Sequence, residues 1–151
     1  MAKVAKPVKV AKPAKAAKPA KVAKPSSPCE PCGDLTTRTL AMPRDTNPSG
    51  DIFGGWVLSE MDKAGAICAG QCAGGRVVTV SIDAMSFLEP VFVGDVLSVH
   101  AEIKRIGRTS ITVQMEAWAI RNRVGAEVKV TEGTFKFVAV DKKRKPKVLK
   151  G

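Results

Sequence analysis

Histidine is nearly missing from this sequence. His100 is the single one, and it sits in the middle of an alternating apolar and polar run. A Ser-His-Asp hydrolase needs a histidine beside an exposed nucleophile, and no GxSxG turn accompanies His100. Zinc hydrolases of the HExxH kind, P-loop NTPases and GxGxxG dinucleotide enzymes also lack their anchoring motifs. That leaves acid/base chemistry by a carboxylate, or no chemistry. No run approaches 18 consecutive apolar residues, and Lys interrupts every short Ala/Val stretch near the N-terminus. Neither a membrane span nor a secretory leader is expected. Arg is absent before Arg38, unlike the Arg-rich transit peptides, so the expectation is a soluble, cytoplasmic protein.

Acidic residues are absent from both ends. Residues 1–28 carry eight Lys and residues 142–151 carry six Lys or Arg, with no Asp or Glu in either stretch. The formal charge of +11 therefore belongs to the ends, and the body between them holds eleven basic residues against all 14 acids. With 151 residues and a hydrophobic fraction of 44%, one core is expected. The organisation predicted is a disordered basic tail and linker over 1–33, one domain over 34–141 and a basic C-terminal tail over 142–151. The first tail repeats a hexapeptide (AKPVKV, AKPAKA, AKPAKV, AKPSSP), and Pro at every sixth residue stops a continuous α-helix. In polyproline II geometry the period-three lysines share one face. The segment resembles the Lys/Ala/Pro tails of linker-histone-like proteins, which implies binding of nucleic acid or another polyanion through residues 1–28 without reading its sequence. A solubilising extension is the competing reading. No aromatic interleaves the lysines, so base stacking is not offered.

The body reads as strands and one helix. Thr36 to Met42 can begin a sheet. Val57, Met61, Ala64 and Cys68 recur at helical spacing between Gly55 and Cys72, in a segment of small residues suited to close approach by a sheet. Val78, Val80, Ile82 and Ala84 then alternate with polar residues, as do Leu97 to Ile103 and Ile111 to Ala119, so each strand should bury one face. Gly107-Arg108 reads as a tight hairpin turn. The last strand, Glu127 to Val140, changes phase, and Gly133 is the expected bulge. The layout is α+β, an antiparallel sheet on one helix.

Asp62 is the carboxylate that stands out. Its neighbours three and four positions away on the helix are Leu58, Ser59, Gly65 and Ala66, an apolar stripe that should raise its pKa towards that of a general base or nucleophile. A solvent-facing role beside Lys63 is the alternative. Gly54 and Gly55 precede the helix, where unpaired N–H groups can receive a carbonyl oxygen; the competing reading is that these glycines simply turn the chain.

The string TLAMPRDTNPSGDIFGGWVLSEMDKAGAI, followed by GRVVTVSIDAMSFLEPVFVGDV, IGRTSI and FKFVAVD, resembles the hotdog-fold acyl-CoA thioesterases of the YciA type over roughly residues 36–141. The resemblance implies a five- to six-stranded antiparallel sheet wrapped around one long central helix. It implies hydrolysis of acyl-CoA to free fatty acid and CoA, with Asn47 and Asp62 in an active site often shared across a dimer interface. The glycine that polarises the thioester carbonyl falls on Gly54, and CoA contacts fall on Val80, Ser81, Ile82, Thr109 and Ser110. Arg108 is added on physical grounds, as a cation for phosphates. Asp62 as base and Asp62 as nucleophile remain open. CoA enters as part of substrate and product, with no further cofactor expected, and the resemblance implies a homo-oligomer, a dimer or a trimer of dimers. The competing function is a nucleic-acid-associated protein whose hotdog body oligomerises and presents basic tails. A hotdog dehydratase would need a histidine that His100 is poorly placed to supply.

Four cysteines could in principle hold zinc: Cys29 and Cys32 form a CxxC, and Cys68 and Cys72 lie one turn apart. The second pair falls in the helix the fold is expected to bury and the first in the linker, so free thiols and no metal are expected.

Overall fold

The computed structural model describes residues 31–149. The Lys/Ala/Pro repeat, Cys29 and residues 150–151 lie outside the described residues, as do the expectations of disorder and polyproline II geometry for residues 1–28. Strand β1 (Asp34–Leu40) leads through a loop with a short 3-10 turn at Pro43–Asp45 into helix α1 (Gly54–Ala73). Strands β2 (Val77–Phe87), β3 (Val96–Ile106), β4 (Ser110–Ile120) and β5 (Glu127–Ala139) follow. All pairings are antiparallel, and the five strands lie in the order β1-β3-β4-β5-β2. Helix α1 contacts every strand, the sheet-around-helix layout that the resemblance implies, with five strands. No helix among the described residues is long and apolar enough to cross a membrane.

The helix forms where its apolar residues recur at helical spacing: Val57, Met61, Ala64 and Ala69 are buried on one side. It ends at Gly74, whose left-handed backbone (φ +56°) lets its N–H reach Gln71 O and Gly70 O. Opposite lie Leu97, Val99, Ile111, Val113, Met115, Phe135 and Phe137, all essentially inaccessible. Gly65 permits that contact. A Cβ there would stand 2.5 Å from Phe137 Cζ and 2.9 Å from Met115 Cε, where only hydrogen now fits.

Three sequence expectations change. The apolar face expected on β2 is not buried: Val78, Val80 and Ile82 are 36%, 53% and 41% exposed. β2 is an edge strand, and its ladder with β5 slips between Thr79 and Ser81 and again between Asp83 and Ser86, so alternation alone does not hold one face inward. The phase change in β5 occurs at Val130 rather than Gly133. Ala117 pairs with Thr131 and Trp118 with Lys129, leaving Val130 as the extra residue, while Gly133 stays paired with Met115. Residues 142–149 do not trail away. Val140 bridges to Pro146, Lys147 N–H bonds Ala139 O and Leu149 N–H bonds Arg108 O, and Leu149 packs on the core.

Candidate active site

Helix α1 begins without a capping side chain. The N–H groups of Trp56 and Val57 turn back to Phe53 O, while those of Gly54 and Gly55 have no acceptor among the described residues. These free donors carry the positive end of the helix dipole. Beside them is a cavity of about 300 Å³ lined by Ile52, Gly54, Val57, Phe87, Val91 and Val130 among others, and the Phe87 ring lies 3.3 Å from where a Cβ on Gly54 would be. The lining is mostly apolar, with Glu89 its single acid. Such a cavity has room for a small apolar group beside N–H donors.

Asp62 lies eight residues further along α1, about 12 Å by helical rise. It is half-buried, and Thr79 of β2 donates its hydroxyl to Asp62 Oδ1 at 2.6 Å. One carboxylate oxygen thus keeps its lone pairs free for a water or a carbonyl carbon. The helical acid that the fold buries most is Glu60, which sequence reasoning passed over. It accepts from the Thr39 hydroxyl at 2.9 Å and pairs with Lys63, so it ties the helix to β1 and is already neutralised. Thr79 was legible only as one polar residue in an alternating strand.

Asn47 shapes the loop ahead of the helix. Its Oδ1 accepts the N–H of Ser49 (2.9 Å) and Asp51 (3.2 Å), and its own N–H donates to Asp51 O (2.7 Å). Its side-chain amide NH₂ remains as a donor. Among the described residues Asn47 makes no hydrogen bond to Asp62, and neither lines the cavity at Gly54. Val80, Ser81 and Ile82 follow Thr79 on the exposed edge. Arg108, Thr109 and Ser110 form the β3–β4 turn, closed by the Gly107 N–H to Ser110 O bond, and Thr109 O accepts from Ala139 N–H. Ser110 pairs with Val138, and Val138 with Val78, so this turn and the start of β2 lie at the same end of the sheet two strands apart, about 10 Å.

His100 lies apart from these residues. It lies on β3 between Leu35 and Glu116, on the face away from α1, with a buried Nε2 that has no partner. Nearby, Glu116 accepts from Lys129 Nζ (2.8 Å), Cys32 N–H (3.0 Å) and Trp118 Nε1 (3.0 Å). Burial alone would raise the Glu116 carboxyl, but these bonds outweigh it and hold the group below the usual range. Cys32, Cys68 and Cys72 are free thiols, and Cys72, expected to be buried, is exposed. The hydrogen bond to Glu102 pushes the Cys32 thiol up, and burial does the same for Cys68.

A family model described as the thioesterase superfamily matches residues 49–126. The acyl-CoA thioester hydrolase YciA of Escherichia coli is 51% identical over 122 residues, covering 79% of this chain and 92% of its own. Two solved structures are similar throughout the body. The hexameric thioesterase of Yersinia pestis is 50% identical with a TM-score of 0.78, over 81% of this chain and 99% of that one. The hexameric hotdog-fold thioesterase of Campylobacter jejuni is 41% identical with a TM-score of 0.74, over 78% and 91%.

Proposed function

The chain belongs to the thioesterase superfamily and is an acyl-CoA thioester hydrolase, and we propose that its active site is completed by a second copy, with Asp62 of one subunit facing Gly54 and Asn47 of the other. The observation that carries this reading is the separation along α1. An oxyanion donor and the group attacking the same carbonyl must both lie within a few ångströms of it, and about 12 Å of helix separates Gly54 from Asp62 in one chain. The exposed β2 edge supplies the means. Antiparallel pairing of two β2 strands about a two-fold axis sets the Val77 end of one beside the Phe87 end of its partner, and so brings Asp62 of one chain towards Gly54 of the other. The free backbone edge of β2 is then paired. The hexameric relatives agree with such assembly.

The chemistry follows from these positions. Gly54 N–H receives the negative charge that develops on the thioester oxygen, aided by the helix dipole. Asp62 either takes a proton from the attacking water or attacks the carbonyl carbon itself to give an anhydride that water then opens. In both routes the C–S bond breaks, the CoA thiolate leaves and is protonated, and a carboxylic acid remains. Thr79 orients the carboxylate, and Asn47 donates its amide to the water or carboxylate. Val80, Ser81, Ile82, Thr109, Ser110 and Arg108 contact the CoA portion, and CoA is needed only as substrate and product. A cytoplasmic location, where free thiols stay reduced, belongs to the same reading. A separate role for the N-terminal repeat rests on its period-three lysines: loose attachment to a polyanion.

Co-assembly tests the shared site. Asp62→Asn and Gly54→Val subunits are each expected to be inactive, the second because its side chain meets Phe87 and fills the carbonyl position. Refolded together at equal amounts, they should recover about a quarter of wild-type turnover, since half the pairs are mixed and each carries one intact site of two. No recovery in verified mixed oligomers would place both groups in one chain.

A further inference from the structure

The connection from β2 to β3 is held by a buried ion pair that the hydrolytic chemistry does not use. Asp95 is 1% exposed, and Arg121, from the turn between β4 and β5, donates through Nη1 to its Oδ2. The same carboxylate accepts the N–H groups of Phe92 (3.0 Å) and Asn122 (3.2 Å). Arg121 Nη1 also donates to Pro90 O at 2.8 Å, and its guanidinium lies 4.9 Å from the centre of the Phe92 ring. One side chain thus grips residues 90, 92 and 95. The turn that presents it is strained, with Asn122 (φ +48°) and Arg123 (φ +71°) both left-handed without being glycine. Desolvation offsets much of the attraction in a buried ion pair, so stability alone is a poor account of this arrangement. The gripped segment leads to the start of α1. Val91 O accepts the Ile52 N–H at 3.1 Å, both residues are buried, and Ile52 stands two residues ahead of Gly54. Ile52, Gly54, Pro90 and Val91 line one cavity. Between Pro90 and Phe92 the hydrogen-bond anchors of the connection, among the described residues, are Arg121, Asp95 and Ile52.

We propose that Arg121 is a positioning residue for the reaction: braced on Asp95, it sets the β2–β3 connection and, through Val91 and Ile52, the placement of the Gly54 N–H that receives the thioester oxygen. The proposal rests on the hydrolase reading above and deepens it, by naming what aims its oxyanion donor. Such a donor acts only when it points to where the charge develops, and a displacement of about 1 Å can cost about 100-fold. Gly54 has no side chain to fix it, and no side chain caps the helix it opens. Its position therefore follows from the residues just before it. Ile52 N–H is tied to Val91 O and Phe53 N–H to Asp45 O at 3.1 Å, so one of these two anchors is the segment that Arg121 holds. Arg121 itself touches neither Gly54 nor Asp62 among its hydrogen bonds. Its influence is expected on kcat and not on substrate binding.

Two measurements on the full-length oligomer test this. In kinetics with acetyl-CoA, Arg121→Met should lower kcat at least about 10-fold while KM stays within about threefold. That variant leaves the Asp95 carboxylate buried and unpaired, which can unfold the chain by itself. Arg121→Met/Asp95→Asn removes both charges, frees Pro90 O in the same way and should show the same loss in kcat. Arg123→Ala, in the same turn but exposed, should change kcat less than about twofold. The second measurement reads the donor directly. Acetyl-CoA labelled with ¹³C at its carbonyl is bound to Asp62→Asn, which leaves it uncleaved, and its carbonyl stretch is recorded by isotope-edited infrared spectroscopy. The bound band should lie below that of free acetyl-CoA, and adding Arg121→Met/Asp95→Asn should return it at least about half of the way. A brace that served only stability would lower the melting temperature and leave both kcat and the band in place. Unchanged kcat in a folded oligomer, or a loss confined to KM, would overturn the proposal. A shifted band in Asp62→Asn that the added substitutions do not move would overturn the brace alone. A band already at the free value in Asp62→Asn would sink the Gly54 reading, and the proposal with it.

Discussion

Replacing Gly65 by alanine tests how tightly the sheet closes on the helix. Helix propensity alone favours alanine over glycine by about 0.8–1.0 kcal/mol. At Gly65 the new methyl would stand 2.5 and 2.8 Å from the Phe137 ring and 2.9 Å from the Met115 methyl, against the 3.5–4.0 Å of a normal carbon contact. Phe137 and Met115 are wholly buried, so relief requires the strand or the helix to move about 1 Å, and overpacking of this kind costs about 1–3 kcal/mol. Gly70 provides the internal standard. On the same helix, its added Cβ would meet only Gly75 O, at 3.4 Å, so Gly70→Ala should be neutral or stabilising by up to about 1 kcal/mol. The difference between the two variants removes the propensity contribution and isolates packing. Urea unfolding at one fixed protein concentration, where assembly contributes equally, should place Gly65→Ala about 1–3 kcal/mol below Gly70→Ala. Equal midpoints with equal slopes would show that the sheet does not press on α1 at this residue.

Glu116→Gln should cost about 1–3 kcal/mol at neutral pH, because Lys129, Trp118 and the Cys32 N–H lose a charged acceptor. Since the folded-state pKa of Glu116 is depressed, its contribution is complete above the unfolded value near 4.3 and is lost as pH falls through the lower folded value, so urea midpoints of wild type and variant should converge in acid. A gap that widens in acid would contradict the ion-pair assignment. Removal of residues 1–28, with their eight lysines, should abolish weak, salt-sensitive binding to duplex DNA measured by fluorescence anisotropy while leaving acyl-CoA turnover in place. Equal affinity with and without the repeat would remove its proposed role.

The helix and the hairpins were legible because their signals are local. Small and apolar residues at helical spacing placed α1 within a residue of its observed ends, Gly54 and Ala73, and Gly107 marked the turn between two alternating runs. What escaped depended on neighbours distant in sequence. The same alternation describes a central strand and an edge strand, so the exposure of Val78, Val80 and Ile82 could not be read from it. The bulge at Val130 follows from how β4 pairs, not from the nearest glycine. Glu60 and Asp62 are both helical acids, and only the approach of Thr39 from β1 and Thr79 from β2 separates their surroundings. The basic end read as a tail because Lys and Arg dominate it and no acid accompanies them. Its anchoring lies in Asp141 and in backbone bonds to Ala139 and Arg108.

The central claim is that Asp62 drives hydrolysis of an acyl-CoA thioester. Thiol release from acyl-CoAs of increasing chain length, by wild type and by Asp62→Asn of unchanged oligomeric state and melting temperature, tests it most directly. Turnover by the wild type and a loss of at least about 100-fold in kcat for the variant are predicted, the loss expected when a positioned base or nucleophile is removed. A folded Asp62→Asn oligomer that releases CoA at close to the wild-type rate would contradict the claim.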